Sequence, residues 1–153
     1  MSVEAIDQAS VEWGKAVKGL RLGLTLKGTT ATFYLENTGD EPITVLSHVI
    51  GGEEDHLDFF TAHLTGAKGG EQRILRFLGN REESEVVKVP LAPGNSLHHV
   101  VDLAVWARRG TNGAKPLAPG DYELKVVYEA QRRNGNWTGR LEAGPISLKV
   151  AAP

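Results

Sequence analysis

Five histidines, His48, His56, His63, His98 and His99, are the first residues in this chain whose type suggests chemistry. Imidazole is the commonest protein ligand for a metal ion. His56 and Asp58 stand two apart in "HLDFF", a spacing that puts both on one face of a strand. His98 or His99 is the candidate third ligand, arriving from another strand. Chain order fixes no such third ligand, and spacings of two arise readily by chance. The expectation is therefore a solvated strand face, with no metal and no cofactor. Adjacent residues on a strand point to opposite faces, so one of His98 and His99 is expected to be a half-buried structural histidine.

Other chemistries lack carriers. The chain has no cysteine, which excludes disulfides, cysteine nucleophiles and thiolate metal centres. "EEDHLD" is acidic but lacks the alternating oxygen ligands and the glycine of a calcium loop. "GAKGG" lacks the Gly-Lys-Ser/Thr ending of a phosphate loop. There is no Gly-x-Ser-x-Gly elbow and no Ser/His/Asp arrangement of recognisable spacing, so an enzyme is not expected. The acid pair Glu82-Glu83 reads as a polar loop. "NWT" at Asn136–Thr138 is a glycosylation sequon, relevant only if a eukaryote secretes the chain.

Recognition has a better candidate. Arg132, Arg133, Asn134, Asn136, Trp137 and Arg140 gather around "RNGN", a tight-hairpin signal. Tryptophan and arginine are enriched where protein partners bind, so a half-exposed Trp137 rimmed by arginines is a partner-binding patch. The competing reading makes Trp137 a lid on the core, as half-buried strand aromatics often are.

The elements that must position these residues are strands. "GLRLGLTLK" sets Leu20, Leu22, Leu24 and Leu26 on one side, and "ATFYLE" sets Ala31, Phe33 and Leu35 inward. "ITVLSHVI", "HLDFFTAHL", "RILRFL", "VVKVPL" and "NSLHHVVDL" follow, separated by loops rich in glycine and charge. "DLAVWARRG" reads as a short helical turn over 102–109, capped by Asp102 and ended by Gly110, with Trp106 plugging one end of the fold. "DYELKVVYEA" alternates Tyr122, Leu124, Val126 and Tyr128, and "WTGRLEAGPISLKV" returns with a break at Gly144-Pro145. About eight short strands at close spacing predict an antiparallel two-sheet sandwich, and nothing predicts the βαβ units of a parallel sheet. Residues 1–13 read as a tail or short helix, and 14–151 as a single sandwich domain.

"PLAPG" occurs at Pro90–Gly94 and again at Pro116–Gly120, each time directly before a strand. Proline then glycine suits a type II turn, and the residues beyond the turn differ, so the repeat reads as one corner device used twice. The second copy, Leu117–Tyr122, resembles the L-x-P-G-x-Y corner of fibronectin type III and other immunoglobulin-like sandwiches, where the tyrosine hydroxyl bonds back to the corner backbone. "LENTGDEPITV", "LAPGNS" and "APGDYELKV" resemble the intracellular proteinase-inhibitor-like group of bacterial β-sandwiches. "WGKAVKGLRLGL" and "HLDFF" are similar to small bacterial sandwich domains of unknown role. The resemblance runs from about Trp13 to Val150 and implies an immunoglobulin-like fold. It offers proteinase inhibition as an activity without carrying over any inhibitory residue.

Composition narrows the rest. In 153 residues, Lys+Arg number 17 against 19 Asp+Glu, for a formal net charge of −2, and no basic run exceeds two residues. Nucleic acid is therefore not an expected partner. No stretch approaches the roughly 20 apolar residues of a membrane span. "MSVEAIDQAS" has neither the basic nor the apolar region of a signal peptide, which leaves a cytoplasmic chain or one whose leader was removed. The expected function is non-catalytic: a sandwich for contact with a protein partner or for assembly, homo-oligomers included. Proteinase inhibition, carbohydrate binding and histidine-based metal chemistry are the alternatives. An aromatic row on an open sheet face would favour carbohydrate, and three convergent His/Asp side chains would favour metal.

Overall fold

A computed structural model describes residues 11–51, 54–66, 72–76, 85–109, 115–132 and 135–151. In chain order the elements are β1 (Glu12–Trp13), β2 (Leu20–Lys27), β3 (Thr30–Asn37), β4 (Ile43–Gly51), β5 (Glu54–His56), β6 (Phe60–Gly66), β7 (Gln72–Leu75), β8 (Glu85–Leu91), β9 (Ser96–Asp102), α1 (Leu103–Arg109), β10 (Gly120–Ala130) and β11 (Gly139–Val150). Among the described residues all pairings are antiparallel. They form sheets in the orders β1-β2-β3-β9, β11-β10-β6-β7 and β5-β4-β8. The fold is an all-β sandwich, with more strands than the spacing of turns predicts.

Alternation places the core. Leu22 lies opposite Leu35 and Leu24 opposite Phe33, and all four are fully buried, as are Ala31, Leu124 and Val126. Phe33 of the first sheet stacks on Phe60 of the second, with centroids 5.4 Å apart and planes at 21°. That contact joins the two layers through an offset aromatic pair. Trp106 meets Phe33 edge-on from α1, at 5.9 Å. Asp102 caps that helix by accepting from the Ala104 N–H at 2.9 Å. At its other end Ala107 O accepts from Arg73 at 3.1 Å and from the Lys115 N–H at 2.7 Å. Gly110, the predicted stop, lies outside the described residues.

Two expectations about elements are corrected. "HLDFFTAHL" is not one strand: β5 and β6 belong to different sheets, with a turn over 57–59 between them. Leu57 and Phe60 are both buried, and a strand would send residues three apart to opposite faces. The turn, closed by Phe60 N–H donating to Leu57 O at 3.0 Å, brings both into the core. "RNGN" does not close a two-residue hairpin either, because Ala130 pairs with Gly139 and residues 131–138 form the connection. The break expected at Gly144-Pro145 is a bulge, in which both residues lie opposite Lys125 and the register shifts.

The two "PLAPG" segments take different shapes. In the first, Gly94 has φ 83° and the Asn95 N–H donates to Ala92 O at 2.9 Å, which is a type II turn. In the second, Gly120 has φ 142°, and Ala118 O accepts instead from the Tyr122 hydroxyl at 2.6 Å. Ser96 holds the place in the first copy that Tyr122 holds in the second, so the first carbonyl has only backbone to bond. The device is not used twice; the tyrosine makes the difference.

β3–β4 and β8–β9 together form one long ribbon that turns a corner. Glu36 pairs with Ser96 before the corner, and Ile43 pairs with Leu91 after it. Asn37 sits at the bend, 0% exposed. Its amide donates to Glu41 O at 2.7 Å and Leu91 O at 2.9 Å, and its side-chain oxygen accepts from the Gly39 N–H at 2.9 Å. Its backbone exchanges bonds with Asn95 O and the Gly94 N–H, at 3.0 and 2.9 Å. Replacing Asn37 with Ala leaves two carbonyls and an N–H without their side-chain partner, and the Leu91 bond among them is buried. A loss of about 2–4 kcal/mol in a denaturant melt is expected; an unchanged midpoint would show that the corner holds without its amide.

Past the corner, the buried Tyr128 hydroxyl donates to Leu46 O at 2.7 Å and ties β10 to β4. Burial pushes this phenol well above its ordinary value of 10.0, and the Leu46 bond opposes only part of that. The folded chain thus keeps the proton that an unfolded chain gives up near pH 10. The contribution is whole below about pH 10 and is lost as pH rises beyond it. Melts from pH 8 to 11 are expected to show a steeper alkaline decline for the parent than for Tyr128→Phe, and parallel curves would contradict this.

Candidate interaction surface

Among the described residues singled out around "RNGN", Trp137 is not an exposed centre. Trp137 is 8% exposed, and its indole N–H donates to Val17 O at 3.1 Å. Its backbone N–H donates to Thr44 O at 2.8 Å, and its ring lies 5.9 Å from that of Tyr128. Lys18 Nζ sits over the ring, 5.3 Å from its centroid. The half-exposed anchor is therefore corrected to a lid on the core, and drawing Trp137 down to Thr44 opens the connection to eight residues, 131–138. Asn136 donates to Gln131 O and Trp137 O, at 3.1 and 2.7 Å, and shapes that connection from within. Arg132 is exposed. Arg133 and Asn134 lie outside the described residues. Arg140 belongs to β11, where it pairs with Glu142 at 3.0 Å.

The metal candidates also separate. His56 ends β5, Asp58 lies in the turn after it, and His98 is on β9, so the single strand face expected for His56 and Asp58 does not exist. Among the described residues no group of three or more His, Asp or Glu is placed to hold a metal ion. Of the neighbouring pair, His98 is exposed and His99 half-buried.

Chain order gave no sign of what His99 meets. Ser47, the extra residue of a bulge in β4, lies 2.8 Å from His48 Nδ1 and 2.9 Å from His99 Nε2. One hydroxyl proton serves one acceptor, so the other ring nitrogen donates back to the oxygen. A serine between two imidazoles has the components of an activated nucleophile. Here Ser47 is only 2% exposed, and the cluster satisfies buried polar groups where β4 meets β9.

A groove of about 540 Å³ crosses the outer face of the second sheet, past His63, Gln72, Ile74, Glu123 and Lys125. Burial lowers the His63 pKa below its ordinary value of 6.5; Lys125 and Arg140 lower it further, and Glu142 raises it. Glu142 lies 3.5 Å from Lys125 as well as 3.0 Å from Arg140, and Arg73 donates to the carbonyls of Ala107, Lys115 and Pro116. Those bonds tie Arg73 and Lys125 into the fold.

The sheet edges are more selective. An edge strand carries unpaired backbone groups that can template another strand, and proteins blunt such edges with shortness, lysine, proline or bulges. β1, β5 and β7 are two, three and four residues long. β11 carries Pro145, Lys149 and the bulge. β8 carries Lys88 and Pro90. β9, "SLHHVVD", is seven residues long with none of these devices. Its Val100 is 62% exposed, and His98 is exposed beside it on the same face.

Behind that edge runs an aromatic row. Trp13, Gly23, Tyr34 and His98 are successive cross-strand partners on β1, β2, β3 and β9. Trp13 and Tyr34 are 6.0 Å apart, as are Tyr34 and His98. Gly23 makes this continuity possible: a Cβ there would meet the Trp13 ring at 2.7 Å. Arg21 covers Trp13 at 3.9 Å from the ring centroid and pairs with Glu36 at 2.6 Å. The row was missed in the sequence because its members come from four segments, linked only by register.

Compared with known proteins, the chain matches no family model and no curated protein. Among the described residues no helix is long and apolar enough to cross a membrane.

As a lid, Trp137 carries stability and not recognition. Trp137→Ala is expected to destabilise the fold by about 3–5 kcal/mol. A variant that unfolds at the parent's denaturant midpoint would restore the exposed-anchor reading.

Proposed function

We propose that the chain is a non-catalytic, immunoglobulin-like β-sandwich that works by contact with a protein partner, whose extended segment adds to β9. The observation that carries this reading is the contrast along one bent strand: its β8 half bears Lys88 and Pro90, while its β9 half bears exposed Val100 and neither lysine nor proline. Strand addition draws affinity from main-chain bonds and specificity from alternate side chains, and a plain edge of seven residues suits it. The Tyr122 bond to Ala118 O supports the immunoglobulin-like identity, since it has the form of a tyrosine corner. Carbohydrate is favoured less. Sugar stacking needs an open aromatic face, whereas Trp13 lies under Arg21 and Tyr34 is buried.

Val100→Lys places on β9 the device that β8 already has. At so exposed a position the fold should change by no more than about 0.5 kcal/mol. In affinity capture from the native cell followed by mass spectrometry, a protein held by the parent is expected to be lost with Val100→Lys while the melting temperature stays the same. Equal recovery of that protein by both would remove β9 from the contact.

A further inference from the structure

Two imidazole nitrogens from different sheets converge on one oxygen. His48 Nδ1, from β4, and His99 Nε2, from β9, stand 2.8 and 2.9 Å from the Ser47 hydroxyl. A regular strand sends neighbours such as Ser47 and His48 to opposite faces. Here the register shifts between Leu46 and His48, and the bulge lets the two side chains meet. Bulges re-aim side chains in this way beside functional sites. The His99 ring is held edge-on to Phe60 at 5.6 Å, and His48 meets it at 5.4 Å and 76°.

These distances are close to those around a tetrahedral ion. Zinc holds imidazole nitrogen at about 2.0–2.1 Å, which sets neighbouring ligand atoms about 3.3 Å apart and the centres of two imidazoles about 5 Å apart. Opening each Ser47 contact by about 0.5 Å therefore makes room for the ion. Both rings can then be neutral ligands, each carrying its proton on the nitrogen that faces away. Without the ion, one of them carries it on the nitrogen facing Ser47, so binding changes that ring's tautomer and releases no proton. Both histidines are half-buried and keep some contact with solvent, from which a water can supply the fourth ligand.

We propose that His48 Nδ1, His99 Nε2 and the Ser47 oxygen form a site for one divalent transition-metal ion of the zinc class, which ties the third sheet to the first. Imidazole suits zinc, copper and nickel, whereas calcium and magnesium require oxygen ligands. The set shares no residue with His56, Asp58 and His98. It is also independent of what meets β9, because His99 pairs with buried Phe33 and lies on the opposite face from His98 and Val100. An ion bound only by the folded chain stabilises it increasingly as its concentration rises.

The untagged full chain, cleared of metal with a chelator and titrated with zinc chloride, tests this. One zinc per chain is expected, with ring ¹⁵N shifts at His48 and His99 and a rising thermal midpoint. His48→Gln and His99→Gln should each weaken binding by about tenfold or more, since even outer partners of a metal cost that much when lost. His98→Gln should bind as the parent does. Ser47→Cys replaces the oxygen with a thiolate, a better zinc ligand in nearly the same volume, and should bind more tightly. A Ser47→Cys variant that binds no tighter would remove residue 47 from the ligands and overturn the site, whether or not the glutamine variants fold. Shifts confined to His56, His63 or His98 would place the zinc elsewhere. No shift in any ring at excess zinc would leave the cluster as hydrogen bonds only.

Discussion

The fold turns on one carboxamide. Asn37 lies where a two-stranded ribbon leaves one sheet and enters another, at a point where the ladder between β3 and β9 has ended and that between β4 and β8 has not begun. Backbone polar groups at such a gap must find partners away from water. Asn37 supplies them from both its main chain and its side chain, so hydrogen bonds tie the two halves of the corner together. Because the corner is closed, β4 comes to lie beside β10, where Leu46 receives the Tyr128 hydroxyl and Thr44 receives the Trp137 N–H. The lid and the third sheet follow from the bend.

Local pattern carried much of this and failed in a consistent way. The period of two in Leu20–Leu26, Ala31–Leu35 and Leu124–Tyr128 identifies the inward faces without help, because each such strand has one side on the core. Tyr122 was legible too, since its partner Ala118 lies four residues away. Trp137 was not: its indole reaches Val17, 120 residues distant, a contact no local pattern signals. "HLDFFTAHL" failed for the same reason. Its residues suit a strand, but the demand to bury Leu57 and Phe60 together breaks the run.

The candidate site was less legible than the fold. Histidine and acid spacing drew attention to His56 and Asp58, which lie on separate elements, while the Ser47–His99 contact joins residues 52 apart in the chain. The edge and its aromatic row depend on which strand comes last in a sheet and on which residue faces which. Only the pairing decides those. Gly23 illustrates the difficulty: in the sequence it is one of the outward residues of an alternating leucine strand, and in the sheet its missing side chain lets Trp13 reach Tyr34.

The bend also acts as a ruler. A strand growing along β9 has straight backbone to follow from Asp102 only as far as Ser96; there the Pro93-Gly94 turn swings the edge away toward the half guarded by Lys88 and Pro90. Seven residues at about 3.3 Å each give a track of about 23 Å. A longer extended segment cannot lie flat on it and must leave the sheet at the corner, so the fold would measure the length of whatever it holds as well as its side chains.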